Sequence, residues 1–204
     1  MKPNSTQITV LLDRSGSMAA CKEDMEGGFR SYLAELRKQD GEAYVSLHQF
    51  DTDYETVYES ATLECAQDFT LVPRGGTALL DAMGKCVRET GERLAKLTEA
   101  DRPERVIFIT ITDGGENASK EITREALRKM IEHQQNKYQW EFVYLGANQD
   151  SFTEAGAIGI NRLNTANYAQ TAAGIGSAFM GVARSTNNYR AGGSAALNPD
   201  DIQS

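Results

Sequence analysis

The sequence lacks the long apolar runs that membrane proteins need. Its hydrophobic stretches fall short of the roughly 20 residues that cross a bilayer as a helix. The first residues, 1–6, lead directly into a strand pattern, without the apolar stretch and small-residue cleavage site of a secretory signal. We therefore expect a cytoplasmic protein that has no membrane partner.

Cysteine is also scarce. Cys21, Cys65 and Cys86 are odd in number and far apart, unlike a disulfide framework or a zinc site built from paired cysteines. Cys21 and Cys86 fall at apolar positions of helical patterns, so we interpret them as small core residues.

Positive charge is in deficit, since 21 Lys and Arg stand against 29 Asp and Glu and the net charge is −8. Nucleic acids and anionic membranes are bound by dense Lys and Arg surfaces. The charge balance therefore argues against both as the main partner.

The signatures of several enzyme classes are absent. A serine hydrolase needs a nucleophile, a base and an orienting acid, but the chain has only His48 and His133 and no G-x-S-x-G turn. No G-x-x-x-x-G-K-[ST] loop is present to bind a nucleoside triphosphate. Gly174 and Gly176 lie within a helical pattern instead of following a strand, so a dinucleotide-binding loop is excluded there.

The sequence does contain a regular alternation of strand and helix patterns. Runs of Ile, Val and Leu are typical of buried strands, and apolar residues at helical spacing predict amphipathic helices between them. Predicted strands cover 6–12, 43–50, 54–58, 106–112, 140–146 and 159–164, and predicted helices cover 17–38, 79–97, 122–131, 151–156 and 168–184.

This alternation predicts a doubly wound α/β fold, in which a mostly parallel central sheet carries helices on both faces. The strand at 54–58 follows a short turn and is predicted to be an antiparallel edge strand. We expect a single domain over residues 1–184. Asn, Gly, Ala and Ser dominate from residue 185 onwards, so 185–204 is predicted to be a flexible or weakly docked tail.

Oxygen-bearing side chains occur where ligands of such sheets bind. Asp13, Ser15 and Ser17 directly follow the first strand. Thr77 lies in a Gly-Gly-Thr loop at a helix start, and Asp113 follows a later strand. Ligands bind beyond the carboxyl ends of parallel strands, so we expect Asp13 and Asp113 to share one rim. Oxygen donors without thiolate or imidazole favour Mg²⁺ or Mn²⁺ over Zn²⁺ or Cu²⁺.

Together these residues resemble the metal-ion-dependent adhesion site (MIDAS) of von Willebrand factor A (VWA) domains. The matching pieces are D-x-S-x-S after the first strand, the Gly-Gly-Thr loop and the Thr-Asp-Gly strand end, so the family pattern is complete. The resemblance spans residues 6–184 and implies a Rossmann-like VWA fold. Residues 50–53 and 145–150 also resemble segments of small stand-alone bacterial and phage-type members.

The resemblance implies a metal-dependent protein-binding domain that is not an enzyme. Ser15, Ser17 and Thr77 would bind the ion directly, and Asp13 and Asp113 would act directly or through water. The cation would be Mg²⁺, with Mn²⁺ or Ca²⁺ as alternatives. It would accept an Asp or Glu carboxylate from a partner protein. The identity of that partner and the oligomeric state do not follow from the sequence.

Two other functions compete with this interpretation. Phosphotransferases of the haloacid dehalogenase kind also place an Asp after the first strand beside Mg²⁺, so Asp13 could be a nucleophile. Their general acid is a second Asp two residues later, where this chain has Ser15. Alternatively, the domain could be a self-assembling structural subunit whose metal only orders the loops.

Simpler roles are also open for single residues near the predicted site. The serines and Thr77 could cap helices. Asp51 and Asp53 are interpreted as turn residues, and Arg14 and Arg74 as solvated side chains. Three further residues could support the ligands or contact a partner: Glu116, Asn148 and Asp150.

Overall fold

The computed structural model describes residues 1–202 of the chain. Within that range, no helix combines the length and the apolar character that crossing a membrane requires. The helices are α1 (Lys22–Leu36), α2 (Leu79–Lys96), α3 (Arg124–Tyr138), α4 (Ser151–Ala157) and α5 (Ala172–Arg190). The strands are β1 (Lys2–Asp13), β2 (Glu42–Phe50), β3 (Tyr54–Thr62), β4 (Pro103–Thr112), β5 (Glu141–Gly146) and β6 (Thr165–Asn167).

The strands form one sheet in the order β3-β2-β1-β4-β5-β6. Neighbouring strands are parallel except β3, which runs antiparallel to β2 at one edge. Helices cover both faces, so the predicted doubly wound, Rossmann-like α/β fold is confirmed. The strand order reverses between β1 and β4, whose carboxyl ends lie side by side with Leu12 opposite Ile111.

Side chains of β1 alternate between two buried faces. Ile8, Val10 and Leu12 lie in the core shared with α1 and α5, while Leu11 lies in a second core with residues of α2 and α3. Burial of both faces explains why β1 contains a nearly continuous apolar run.

Helices α1 and α5 pack closely against each other. Gly28 of α1 lies beneath the Phe179 ring of α5, and a Cβ added at Gly28 would lie 2.2 Å from Phe179 Cδ2. Near the other end of the pair, the buried Arg190 guanidinium donates to the carbonyl oxygens of Leu36 at 2.7 Å and Gly41 at 3.0 Å. The first bond reaches a carbonyl group in the last turn of α1, where helical partners are lacking, and the second ties α5 to the loop that follows α1.

The strand predicted at 159–164 is wrong, because the sixth strand begins only after it. Gly159 has a φ of +85°, a left-handed conformation that glycine allows and that interrupts an extended strand. The Asn161 side chain then accepts a hydrogen bond from the Leu163 N–H and closes a short 3-10 turn. The three-residue β6 pairs with β5 from there.

The predicted tail, 185–204, packs against the helices as far as the structure describes it. Helix α5 continues to Arg190, past the predicted end of that helix. The chain then folds back, and Ala195, Leu197 and Ile202 are buried in the core shared with α1 and α5.

The small residues of this segment explain the difference. They are typical of disorder, but they also permit close contact, and a Cβ added at Gly193 would lie 2.5 Å from Asn188 Oδ1. The structure thus differs from the expected flexible or weakly docked tail in that buried residues of this segment contact the core as far as residue 202. Residues 203–204 lie outside the described residues.

We expect Gly28→Ala to destabilise the protein and the adjacent Gly27→Ala to stabilise it. The added methyl group at Gly28 overlaps the Phe179 ring, and overpacking of this kind costs about 1–3 kcal/mol. A Cβ at Gly27 meets nothing within 4 Å, so alanine there gains about 0.5–1 kcal/mol of helix stability. Urea unfolding of both variants measures the difference, and equal free energies of unfolding would contradict the close packing of α1 against α5.

Candidate metal centre

Asp13 is the last residue of β1, and its carboxylate is buried. Its Oδ1 accepts a hydrogen bond from the Ser15 N–H at 2.6 Å, and its Oδ2 accepts one from the Thr112 hydroxyl of β4 at 2.6 Å. Burial raises the pKa of Asp13 to about 6, and the negative charge of Asp113 adds to the rise. The two hydrogen bonds lower the pKa, but burial outweighs them. The charge on Asp13 is therefore unfavourable unless a cation offsets it.

Ser15, Ser17 and Asp113 form a chain of oxygen atoms at the same edge of the sheet. Ser15 Oγ lies 3.1 Å from Ser17 Oγ, and the Ser17 hydroxyl donates to Asp113 Oδ1 at 2.7 Å. Because Asp113 follows β4, this chain joins the carboxyl ends of β1 and β4. Asp113 is buried and Ser17 is exposed, so the group opens to solvent on the Ser17 side.

Thr77 reaches the same edge from the loop before α2. Its backbone N–H donates to Asn117 Oδ1 at 2.9 Å, and its carbonyl accepts from the Asn117 N–H at 3.0 Å. A Cβ placed on Gly114 would lie 3.6 Å from Thr77 Oγ1 and 3.9 Å from Ser17 Oγ, so both hydroxyls lie beside Gly114. The structure thus brings together all the predicted ligands: Asp13, Ser15, Ser17, Thr77 and Asp113.

This donor set suits a hard divalent cation. Among the described residues, no group of three or more His, Cys, Asp or Glu side chains is placed to hold a metal. The candidate donors at this edge are two carboxylates and three hydroxyls, a set of oxygens that hard cations prefer. Adjacent ligands of an octahedral Mg²⁺ ion are about 3 Å apart, because each lies about 2.1 Å from the ion. The separations of 3.1 Å between the serine hydroxyls and 2.7 Å from Ser17 to Asp113 agree with that spacing.

Over residues 1–202, neither carboxylate of the site has a cationic partner. Asp13 and Asp113 accept hydrogen bonds from neutral donors. The nearby arginines pair with Asp51, to whose Oδ2 Arg14 Nε donates at 2.7 Å and Arg74 Nε at 2.9 Å. Arg14 is buried, so its interpretation as a solvated side chain is wrong, whereas Arg74 is half-exposed.

Asp51 organises the rim of the site. Its Oδ1 accepts from the Asp53 N–H at 2.7 Å, which closes the turn between β2 and β3. Burial opposes the ionisation of Asp51, but hydrogen bonds from Asp53, Arg74 and Arg14 outweigh it and lower the pKa of Asp51. This ionised carboxylate ties together the loops that follow β1 and β2 and the loop that precedes α2.

Two further acidic side chains fix the loop after β4. Glu116 accepts from backbone N–H groups of its own loop and from the Leu80 N–H of α2 at 2.9 Å. Asp81 accepts from the backbone N–H groups of residues 120–122. Glu116 therefore supports the segment that leads away from Asp113, and it does so through backbone contacts.

Asn148 and Asp150 lie at the same edge but have different roles. Asn148 Nδ2 lies 3.5 Å from the Asp113 carbonyl oxygen and donates to Gln170 Oε1 at 2.8 Å. Asp150 is exposed and caps α4, because it accepts from the Thr153 N–H at 3.2 Å.

Sequence reasoning missed Thr112, Asn117 and Gln170. Thr112 holds Asp13, Asn117 holds the loop before α2, and Gln170 Nε2 donates to Asp113 Oδ2 at 2.7 Å. The position of Thr112 directly before Asp113, on a strand predicted to end at the same rim as Asp13, was a usable signal. No sequence signal indicated Gln170, because this residue lies in the loop before α5, far along the chain from the D-x-S-x-S motif.

Glycines line the open side of the site. The Gly16 N–H donates to the Gly75 carbonyl at 3.2 Å and joins the two loops that carry the hydroxyls. Gly75 has a φ of +65°, which favours glycine at this position. Gly114 and Gly115 continue the rim after β4. An incoming group therefore meets hydroxyls and backbone instead of bulky side chains.

Other groups that could carry chemistry lie away from this edge. His48 is buried on β2, where its Nδ1 lies 2.9 Å from the Tyr54 hydroxyl oxygen, and burial lowers its pKa to about 4. His133 is exposed on α3 beside the Tyr138 ring. A groove of about 710 Å³ lies between α2 and α3 near the amino ends of β4 and β5, with Trp140 in its wall, and none of the five candidate ligands lines it.

No protein-family model and no curated protein matched the chain. Solved structures did match it. Proximal thread matrix protein 1 from the mussel byssus, with a zinc-occupied MIDAS motif, gives a TM-score of 0.64 at 13% identity and covers 89% of this chain and 46% of its own. A von Willebrand factor type A structure from Catenulispora acidiphila gives 0.62 at 16% identity, covering 90% of this chain and 43% of its own.

A third structure is the vWF domain of the type V pili tip protein Mfa5 from Porphyromonas gingivalis. Its TM-score is 0.64 at 12% identity, and it covers 89% of this chain and 95% of its own. This chain spans less than half of the mussel and Catenulispora chains.

Because a pilus protein is among the neighbours, the comparisons do not support the cytoplasmic location expected from the sequence. At these identities the likeness concerns the fold, and the chain has the fold of VWA domains.

Proposed function

We propose that this protein is a non-enzymatic recognition domain, which binds a divalent cation with the five candidate ligands and, through it, a carboxylate of a partner protein. One observation carries the proposal. Asp13 and Asp113 are buried at one edge of the sheet, and the donors that contact them are neutral. Buried charges in proteins are paired or coordinate metals. The adjacent arginines pair with Asp51, so a cation from solution is the counter-charge that fits.

The hydroxyl and carboxylate residues of the site would have different roles in binding the cation. Ser15, Ser17 and Thr77 offer neutral oxygens, and Ser17 can bind a cation through a lone pair while its O–H still donates to Asp113 Oδ1. Asp13 and Asp113 supply the negative charge that attracts the cation. A bound Mg²⁺ would supply a Lewis-acidic position for a carboxylate from outside. Because three ligands are neutral, much of the positive charge stays available to that carboxylate.

The chemistry of the donor atoms supports Mg²⁺ as the cation of this proposal. Oxygen ligands alone favour Mg²⁺, with Mn²⁺ or Ca²⁺ as alternatives. The zinc-occupied MIDAS motif of the mussel protein supports a divalent cation in this fold. The neighbours named as a matrix protein and a pilus tip protein support binding over catalysis.

The phosphotransferase alternative fits the geometry poorly. A nucleophilic Asp13 needs a carboxylate oxygen free to face a phosphorus atom, but both of its oxygens accept short hydrogen bonds and the residue is buried. The position of the general acid is occupied by Ser15, whose hydroxyl cannot replace a carboxylic acid at neutral pH.

We expect no Asp13-dependent hydrolysis of p-nitrophenyl phosphate in the presence of Mg²⁺. The wild-type protein and Asp13→Asn should release p-nitrophenol at the same background rate, because Asp13 is buried and both of its oxygens accept hydrogen bonds. Release by the wild type alone would restore the phosphotransferase interpretation.

Metal binding predicts a large thermal shift. Mg²⁺ at 100 times its dissociation constant stabilises a folded protein by about 2.7 kcal/mol, which raises the Tm of a chain of this size by roughly 5–10 °C. Asp13→Asn should abolish the shift, because it removes one of the two charges while its side chain keeps the same shape. Without metal, Asp13→Asn should be at least as stable as the wild type, since a buried charge is lost.

Asp150→Asn is the matched control for this measurement. Asp150 is an exposed carboxylate at the same edge, and asparagine also caps a helix, so this variant should keep the full shift. A full shift in Asp13→Asn, measured by differential scanning calorimetry, would place the ion elsewhere on the protein.

An open coordination position predicts that a small carboxylate reaches the ion. With Mn²⁺ bound to the protein, the methyl protons of acetate should relax faster than those of acetamide, and excess Mg²⁺ should reverse the effect. Proton NMR relaxation of the two probes measures this. Equal relaxation of acetate and acetamide, with Mn²⁺ still bound, would favour a structural ion that only orders the loops.

A further inference from the structure

Gln170 connects two loops at the candidate metal centre. Its Nε2 donates to Asp113 Oδ2 at 2.7 Å, and its Oε1 accepts from Asn148 Nδ2 at 2.8 Å. The side-chain amide therefore lies between the loop after β4 and the loop after β5. It comes from a third segment, the one that leads from β6 into α5.

We propose that Gln170 is the positioning residue of the metal centre, which fixes the Asp113 carboxylate in the orientation that cation binding requires. This inference rests on the proposed function. Asp113 Oδ1 is held by the Ser17 hydroxyl and Oδ2 by Gln170, so both oxygens have a defined direction. Without Gln170, Oδ2 has no donor among the described residues, and the Ser17 hydroxyl alone orients the carboxylate.

The backbone around Gln170 is itself held in place, which makes the amide a rigid support. The neighbouring Tyr168 donates through its N–H to the Gly146 carbonyl at 3.0 Å and through its hydroxyl to the Thr112 carbonyl at 3.3 Å. Thr171 caps α5 by accepting from the Gly174 N–H. The amide thus approaches Asp113 from a segment fixed to both β4 and β5.

The neutrality of Gln170 matters as much as its position. A lysine there would place a positive charge beside Asp113 and replace the cation as its counter-charge. A glutamate would add a negative charge and attract the cation more strongly, although it loses the donor. Glutamine orients the Asp113 carboxylate without neutralising its negative charge, so that charge remains available to attract the cation. A purely structural role for residue 170 would not distinguish these two replacements.

The test is the Mg²⁺ dissociation constant of the full chain, measured by isothermal titration calorimetry with MgCl₂ alone. Gln170→Ala should weaken Mg²⁺ binding about tenfold, since loss of a residue that orients a ligand costs about 10–100-fold in affinity. Gln170→Lys should weaken it further, and Gln170→Glu should bind at least about tenfold more tightly than Gln170→Lys, because the two differ by two charges near the ion. Asn148→Ala removes the donor to Gln170 Oε1 and the 3.5 Å contact with the Asp113 carbonyl oxygen, but it leaves the Gln170 donor to Asp113 Oδ2 in place, so it should weaken binding by a smaller factor.

Gln149→Ala is the matched control, because Gln149 donates to the Tyr144 hydroxyl and makes no hydrogen bond to Asp113. It should leave the dissociation constant within about twofold of the wild type, a change too small to reflect a lost ligand support. Equal Mg²⁺ affinity in the wild type and the three Gln170 variants would overturn the role of Gln170 and leave the metal site intact. No Mg²⁺ binding by the wild type would overturn the proposed function and this inference together.

Discussion

The burial of the Asp13 carboxylate is the constraint on which the carboxyl edge of the sheet depends. A buried carboxylate needs donors on both oxygens, and Asp13 obtains them from the Ser15 backbone and from Thr112 of the neighbouring strand. The second bond requires β1 and β4 to be adjacent at the point where the strand order reverses. The hydrogen bonding of Asp13 therefore depends on the strand order, because a sheet without β4 beside β1 would leave one oxygen of Asp13 without its donor.

Charge at this edge is divided into two neighbouring groups. Asp51 is neutralised within the protein by Arg14 and Arg74, and it serves to hold three loops together. Asp13 and Asp113 receive hydrogen bonds from neutral donors, and no cationic side chain of the described residues pairs with them. The ion-paired Asp51 thus lies beside two carboxylates that have no cationic partner. Asp51 holds the loops in place, whereas Asp13 and Asp113 are the groups available to a cation.

The sequence predicted the sheet and the five candidate ligands because both follow from local signals. Apolar runs identified β1 and β4, and Asp13 and Asp113 follow the two strands directly. Gln170 escaped prediction, since its contact with Asp113 depends on how three loops meet in space. The short β6 and the docked segment after α5 escaped because small polar residues are typical both of disorder and of close packing.

The contact between Gly28 and Phe179 has a mechanical consequence. The Phe179 ring occupies the space where any other residue would carry a side chain, and Arg190 fastens α5 to the end of α1 near the opposite end. Sliding α5 along the sheet would break both attachments, so α5 is held in register with α1. Under the proposed function, a partner at the carboxyl edge of the sheet would therefore meet a surface whose shape is set before it arrives, and a fit to that surface would select it.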